Sequence, residues 1–205
     1  GDHCFYEKTA QNGGKPFPAE KFVNKIPVKK HDHVLIPAGT VHCSGADTMV
    51  LEISATPYIF TFKLWDWGRV DLDGKPRPIH LEHGAANIQW YRNTEWVHRN
   101  LVNAVAEVYT GENGTVVRTG LHEREFLDTF RFTTSSALPV HRNGSVHMLN
   151  LVDGTRAVLR SKSDAFPPLE LHYAETCIVP QAAGDYEISS PDGSEVKVIL
   201  ACVRN

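Results

Sequence analysis

Cysteine is sparse in this chain of 205 residues, and Cys4, Cys43, Cys177 and Cys202 include no Cys-x-x-Cys pair. That excludes a zinc ribbon or a short redox loop and gives no disulfide framework of the secreted kind. No apolar run approaches the roughly 18–20 residues that a membrane helix needs. The opening Gly1-Asp2-His3-Cys4-Phe5 has neither a basic nor an apolar signal region. Positive charge is not in surplus: 21 Lys and Arg stand against 24 Asp and Glu, a net charge of -3. A general nucleic-acid-coating surface is therefore excluded. These absences predict a cytoplasmic protein with no nucleic-acid and no membrane partner. Gly1 in place of an initiator Met reads as an internal start or a cleavage scar.

What is present is ordinary for a folded domain: 41% hydrophobic and 22% charged residues, enough to bury a core. Histidine, with 11 copies, is the one enriched chemical resource. Residues 1–32 carry Asn12-Gly13-Gly14, Lys15-Pro16 and Phe17-Pro18 without a period of 2 or 3.6, and read as irregular connection. From residue 33 the text turns to short β-rich runs at 34–36, 49–54 and 58–64, with turns at Pro37-Ala38-Gly39 and Leu72-Asp73-Gly74. One short helix is predicted over 94–102, near the division between two regions. Strands are predicted again at 125–133, 145–152, 155–160, 170–179, 186–189 and 196–203, with Asp153-Gly154 as a hairpin signal. Turn signals about every 8–12 residues predict an all-β sandwich or barrel with little helix.

The sharpest local signal is Ile36-Pro37-Ala38-Gly39-Thr40-Val41-His42. Pro presets φ, Gly permits a positive φ, and the chain reverses tightly before His42. A neutral imidazole there could serve as a metal ligand, or could cap the turn by hydrogen bonding. His31-Asp32-His33 lacks a nearby Glu and reads as a polar turn. His80 and Glu82 would share one face of an alternating strand while His83 points away, which favours structural hydrogen bonding over metal.

Pro-x-Gly-x-x-His is the second sequence motif of cupins. With Leu51-Glu52-Ile53-Ser54, Phe60 to Arg69 containing Asp66-Trp67-Gly68-Arg69, and Leu72-Asp73-Gly74-Lys75-Pro76-Arg77 followed by His80-Leu81-Glu82, the chain resembles class I mannose-6-phosphate isomerases of bacterial type. The resemblance is strong over 33 to about 90 and weaker beyond. It implies an all-β fold of cupin-type jelly-roll barrels, the first partial over 33–103 with a linker helix, the second complete over 104–205 without metal ligands. It implies zinc-dependent interconversion of mannose 6-phosphate and fructose 6-phosphate by the full-length protein, with residues 1–32 as connection from a missing N-terminal part.

The same resemblance assigns His42 to the metal, Lys63 and Arg69 to catalysis, and Lys63 and Glu52 to the substrate. Family members carry Thr-Tyr-Arg before Asp-Trp-Gly-Arg, whereas this chain reads Thr61-Phe62-Lys63: the charge is kept and the planar fork lost. On a strand over 58–64, Lys63 would look inward toward His42. Arg69 would organise its turn through an ion pair with Asp66 or Asp71. The family's upstream Gln-x-His has no counterpart before residue 33, so one zinc ion is expected in the full-length protein and an incomplete ligand set in this chain. The alternative functions are a non-catalytic sugar-binding or regulatory cupin and a purely structural barrel. In the second half, Asp185 stands at the same offset from Pro180 that His42 has from Pro37, and reads as a turn residue.

Overall fold

The computed structural model describes residues 17–54, 61–67 and 69–204. They divide into two compact units, the first built from 17–32, 36–51 and 61–102, the second from 33–35, 52–54 and 103–204.

Every sheet strand among the described residues belongs to the second unit: β1 (Ala106–Gly111), β2 (Gly114–Arg118), β3 (Leu127–Thr134), β4 (Ala137–Val140), β5 (His147–Asp153), β6 (Arg156–Ser161), β7 (Leu169–His172), β8 (Thr176–Val179), β9 (Tyr186–Ser189) and β10 (Val196–Val203). One sheet has the order β1-β2-β3-β10-β5-β8, the other β4-β9-β6-β7, and all pairings are antiparallel. From β3 onward every connection except β6–β7 crosses between the sheets, so that β3-β10-β5-β8 faces β4-β9-β6-β7. This is the jelly-roll order, in which two Greek keys share a core, and it is the architecture of cupins. The β1–β2 hairpin extends the first sheet. Pro139 sits on β4, an edge strand, where its missing N–H costs least.

Alternation supplies the core. His147, Leu149 and Leu151 of β5 turn inward while Met148 lies 45% exposed, and Val196, Val198, Leu200 and Cys202 of β10 meet Tyr186 and Ile188 of β9 in one buried cluster. Two local expectations change. The predicted strand over 170–179 breaks into β7 and β8 because Ala174 adopts φ +65 and the Ala174 N–H bonds back to Leu151. The Asp153-Gly154 turn makes no hairpin: β5 and β6 lie in different sheets, so the turn carries the chain across the sandwich.

The described part of the first unit has no sheet. It holds a 3-10 turn at Ala19–Lys21, helix α1 (Leu81–Asn87), helix α2 (Thr94–Asn100) and an isolated bridge between Val70 and Pro76. Residues 34–36 and 49–54 form no strand, and neither do 61–64; residues 58–60 of that predicted strand lie outside the described residues. Apolar β-branched residues favour strands only where a neighbouring strand takes up their backbone groups, and these runs acquire none in a sheet. Helix α2 forms where expected, its first turn capped by the Asn93 side chain accepting from the Trp96 N–H. Helix α1 replaces the alternating strand predicted around His80: Leu81–Asn87 contains no β-branched residue and carries Ala85, Ala86 and an acidic Glu82 in its first turn.

Candidate functional site

Asp66 organises one corner of the first unit. It is 9% exposed, and Arg77 grips both of its carboxylate oxygens, Nη2 to Oδ1 at 2.7 Å and Nε to Oδ2. Those hydrogen bonds, then the charges of Arg77, Lys63 and Arg69, hold its carboxyl below the usual carboxylate range. The expected partner, Arg69, does not make this ion pair. Its backbone N–H closes the turn onto the Asp66 carbonyl at 2.9 Å and its carbonyl accepts the Arg77 N–H at 3.1 Å, while its side-chain charge reaches Asp66 through space. Arg77 wins because the bridge between Val70 and Pro76 brings it back over Asp66. Within the turn Trp67 is 56% exposed at φ +56, a left-handed conformation that costs a bulky residue about 1–2 kcal/mol.

Lys63 is half-buried, and its backbone is paired with His80: the Lys63 N–H donates to His80 Nδ1 at 3.2 Å and its carbonyl accepts the His80 N–H at 2.7 Å. The strand argument for its direction therefore lapses, since 61–64 is not a strand. Helix α1 follows at once, and Gly84 allows it to lie against Leu64 and Phe62, where a Cβ would collide with the Leu64 side chain.

The Pro37-Ala38-Gly39-Thr40 turn forms as its sequence requires, with the Thr40 N–H bonded to the Pro37 carbonyl at 3.1 Å. Gly39 lies at φ +82, and a Cβ there would stand 2.5 Å from the Asn87 carbonyl oxygen. Arg92 fastens the same turn: one guanidinium nitrogen reaches the carbonyls of Pro37 (3.1 Å) and Ala38 (2.8 Å) and Thr40 Oγ1 (2.6 Å), under the rings of Tyr91 and Trp96. His42 is exposed, and its Nδ1–H donates to the Thr40 carbonyl at 2.9 Å, leaving the Nε2 lone pair outward. Glu52 is exposed and belongs to the second unit.

The structure thus gathers Lys63 and Arg69 around Asp66 and sets His42 on its own braced turn. Among the described residues no group of three or more His, Cys, Asp or Glu could hold a metal ion. Zinc takes about three or four protein ligands, so the described residues do not fit a zinc centre. His42 offers one nitrogen.

In the second unit Asp185 accepts from the Arg142 N–H and from His141, both at 2.8 Å, and ties two turns at one end of the jelly roll. Beneath them His147 is 2% exposed. Its Nδ1 accepts from the Tyr186 hydroxyl at 2.9 Å and its Nε2–H donates to Asn143 Oδ1 at 3.1 Å. Burial, then the charge of Arg142, pushes the His147 pKa down to about 4.

Sequence reasoning did not assign Arg77, Arg92 or His147. Arg77 was visible as an unspent cation close to Asp66, and His147 as the first inward position of an alternating strand. Arg92 had no local signal, because its partners lie 52–55 residues away.

Among known proteins, no protein-family model matches the chain. The mannose-6-phosphate isomerase of Streptococcus mutans is 35% identical over 63 residues, 31% of this chain and 20% of that protein. The mannose-6-phosphate isomerase ManA of Bacillus subtilis is 33% identical over 70 residues, 34% of this chain and 22% of that protein. The chain spans about a fifth of the length of these curated relatives. The crystal structure of the Bacillus subtilis mannose 6-phosphate isomerase superposes on 68% of this chain and 39% of its own, with a TM-score of 0.52 at 13% identity. No helix among the described residues is long and apolar enough to cross a membrane. Through about a third of its length the chain is a relative of the mannose-6-phosphate isomerases, and over two thirds it has the fold of one.

Proposed function

We propose that the chain serves aldose–ketose isomerisation of a hexose 6-phosphate, mannose 6-phosphate to fructose 6-phosphate, in the cytoplasm. The observation that carries this reading is the charge arrangement around Asp66. Arg77 already neutralises that carboxylate with two hydrogen bonds, so Lys63 and Arg69 remain as cations beside it for an anionic ligand. The isomerisation moves a proton between C1 and C2 through an enediolate. A fixed cation at the developing oxyanion lowers that barrier, and Lys63, with its backbone held by His80, is the group we assign to it. Arg69 takes the neighbouring negative charge. The described residues supply at most one zinc ligand, His42, so no step of this proposal is routed through a metal.

The incomplete metal set among the described residues favours one second reading, a sugar-phosphate-binding cupin without turnover. Steady-state assay of mannose 6-phosphate isomerisation separates the two. In the isomerase, Lys63→Met lowers kcat by ~10²-fold or more, the scale of losing one oxyanion-stabilising group, with the circular dichroism of the folded protein unchanged. Wild-type kcat in Lys63→Met removes Lys63 from the chemistry. Saturable binding of mannose 6-phosphate with no turnover establishes the second reading.

A further inference from the structure

Part of the space between the two sheets of the jelly roll is left open by its side chains. A cavity of about 460 Å³ lies between the two sheets, walled by Val116, Phe130, Phe132, Leu138, Val140 and Leu200. Val108 and Tyr109 of β1, 56% and 42% exposed, form part of its lining. The volume falls within the roughly 300–1,000 Å³ of small-molecule sites. It is also about three times the ~150 Å³ of an apolar protein cavity that stays dry and takes up benzene.

We propose that this cavity binds a small neutral molecule, mainly hydrocarbon or aromatic, at a site separate from any that handles sugar phosphate. Three observations select that chemistry. No Lys, Arg, Asp or Glu lines the cavity, so nothing there would neutralise a phosphate. Polar side chains that line it are already paired: His147 uses both ring nitrogens, on Tyr186 and Asn143, Asn143 Nδ2 donates to Cys202 Sγ at 3.2 Å, and Asn113 Oδ1 accepts from the Ser136 hydroxyl at 3.4 Å. His141, also in the lining, is bound to Asp185. A polyhydroxylated sugar would therefore leave its hydroxyls unpaired against Val, Leu and Phe walls, at a cost of about 1–3 kcal/mol for each. An apolar molecule loses nothing by entering and removes its own surface from water. Neutral His147 keeps the floor of the cavity uncharged.

The test is a methyl NMR titration of the whole chain, labelled at Leu and Val, with indole and with 1-octanol as separate probes and mannose 6-phosphate as the polar comparison. Saturable shifts at the methyls of Val116, Leu138, Val140 and Leu200 are expected with indole or 1-octanol, and none with mannose 6-phosphate. Val140→Phe, which fills the cavity, abolishes the shifts. Because a buried enlargement can disturb folding, Val108→Trp at the exposed rim serves as the second variant and weakens probe binding ten-fold or more. The proposal is overturned by the absence of saturable shifts with both apolar probes, by unchanged probe affinity in Val108→Trp, or by mannose 6-phosphate shifting the same methyls. None of these outcomes depends on whether the protein isomerises a sugar.

Discussion

All the buried hydrophobic residues of the described chain except Leu101 lie in the second unit. There, alternation along β5, β9 and β10 turns side chains into one cluster, and stability follows from apolar area removed from water. In the first unit the well-defined points are polar: a bidentate Arg77–Asp66 pair, an arginine fastening three acceptors of a reverse turn, and a histidine paired with a lysine backbone. Hydrogen bonds of this kind each contribute about 0.5–1.5 kcal/mol net, more when charged, but they are directional where apolar burial is not. The comparison teaches a division of labour. The jelly roll is held by an apolar core, whereas the first unit fixes Asp66, Arg77 and the turn before His42 by polar contacts.

The largest effects should therefore come from the second unit. Leu151→Ala, at a position with no exposed surface, is expected to lower stability by about 2–5 kcal/mol, read as a fall in urea midpoint of the strand signal. Leu72→Ala, fully exposed in the first unit, is expected to change it by less than about 0.5 kcal/mol. Equal shifts in the two variants would break the comparison.

Acid should act on the same unit through His147. Its folded pKa, about 4, lies below the ordinary histidine value of 6.5, so between those two values the unfolded chain holds a proton that the folded one refuses. Stability then rises with pH across that window and falls on acidification, by a total on the order of 3 kcal/mol once pH drops below 4. His147→Gln should flatten the curve between pH 6.5 and 4 while lowering stability at neutral pH. A wild-type midpoint independent of pH across that interval would show that burial does not hold the ring neutral.

The two units also differed in how much of them could be read from sequence. Strands β9 and β10 fall at the predicted bounds, 186–189 and 196–203, because their inward and outward positions alternate and turn residues flank them. Turn spacing made an all-β sandwich or barrel legible, and the resemblance to cupins implied the jelly roll. The break at Ala174 was not, since a positive φ at alanine is forced by tertiary contacts and leaves no compositional mark. Residues 34–36 and 49–54 misled because β propensity reports fit to a sheet, and no sheet receives them. His42 and its Pro-x-Gly turn were visible locally. The bidentate hold on Asp66 was half visible, as charges of opposite sign eleven residues apart whose pairing depends on the path of the intervening turn.

Arg92 is where sequence reading failed most completely, and it supports the smallest prediction. One nitrogen meets two carbonyls and a hydroxyl 52–55 residues earlier in the chain, while the guanidinium carbon lies 5.5 Å from the Tyr91 ring centroid and 5.4 Å from that of Trp96. Arg92→Lys keeps the charge. A lysine ammonium can still reach one or two of those acceptors, but it is strongly hydrated and lacks the flat delocalised face that favours contact with aromatic rings. The expected cost is about 1 kcal/mol, the net value of roughly one hydrogen bond. The loss should be local, because the turn is also closed by the Thr40 N–H on Pro37 and by the Gln89 N–H on the Gly39 carbonyl at 2.9 Å. Native-state hydrogen exchange separates a local from a global effect: the Thr40 and Gln89 amides should exchange about five-fold faster, and β5 and β10 amides at the wild-type rate. Uniform acceleration across both units would mean that Arg92 supports the stability of the whole chain. Unchanged Thr40 exchange would mean that glycine and proline alone define the turn presenting His42.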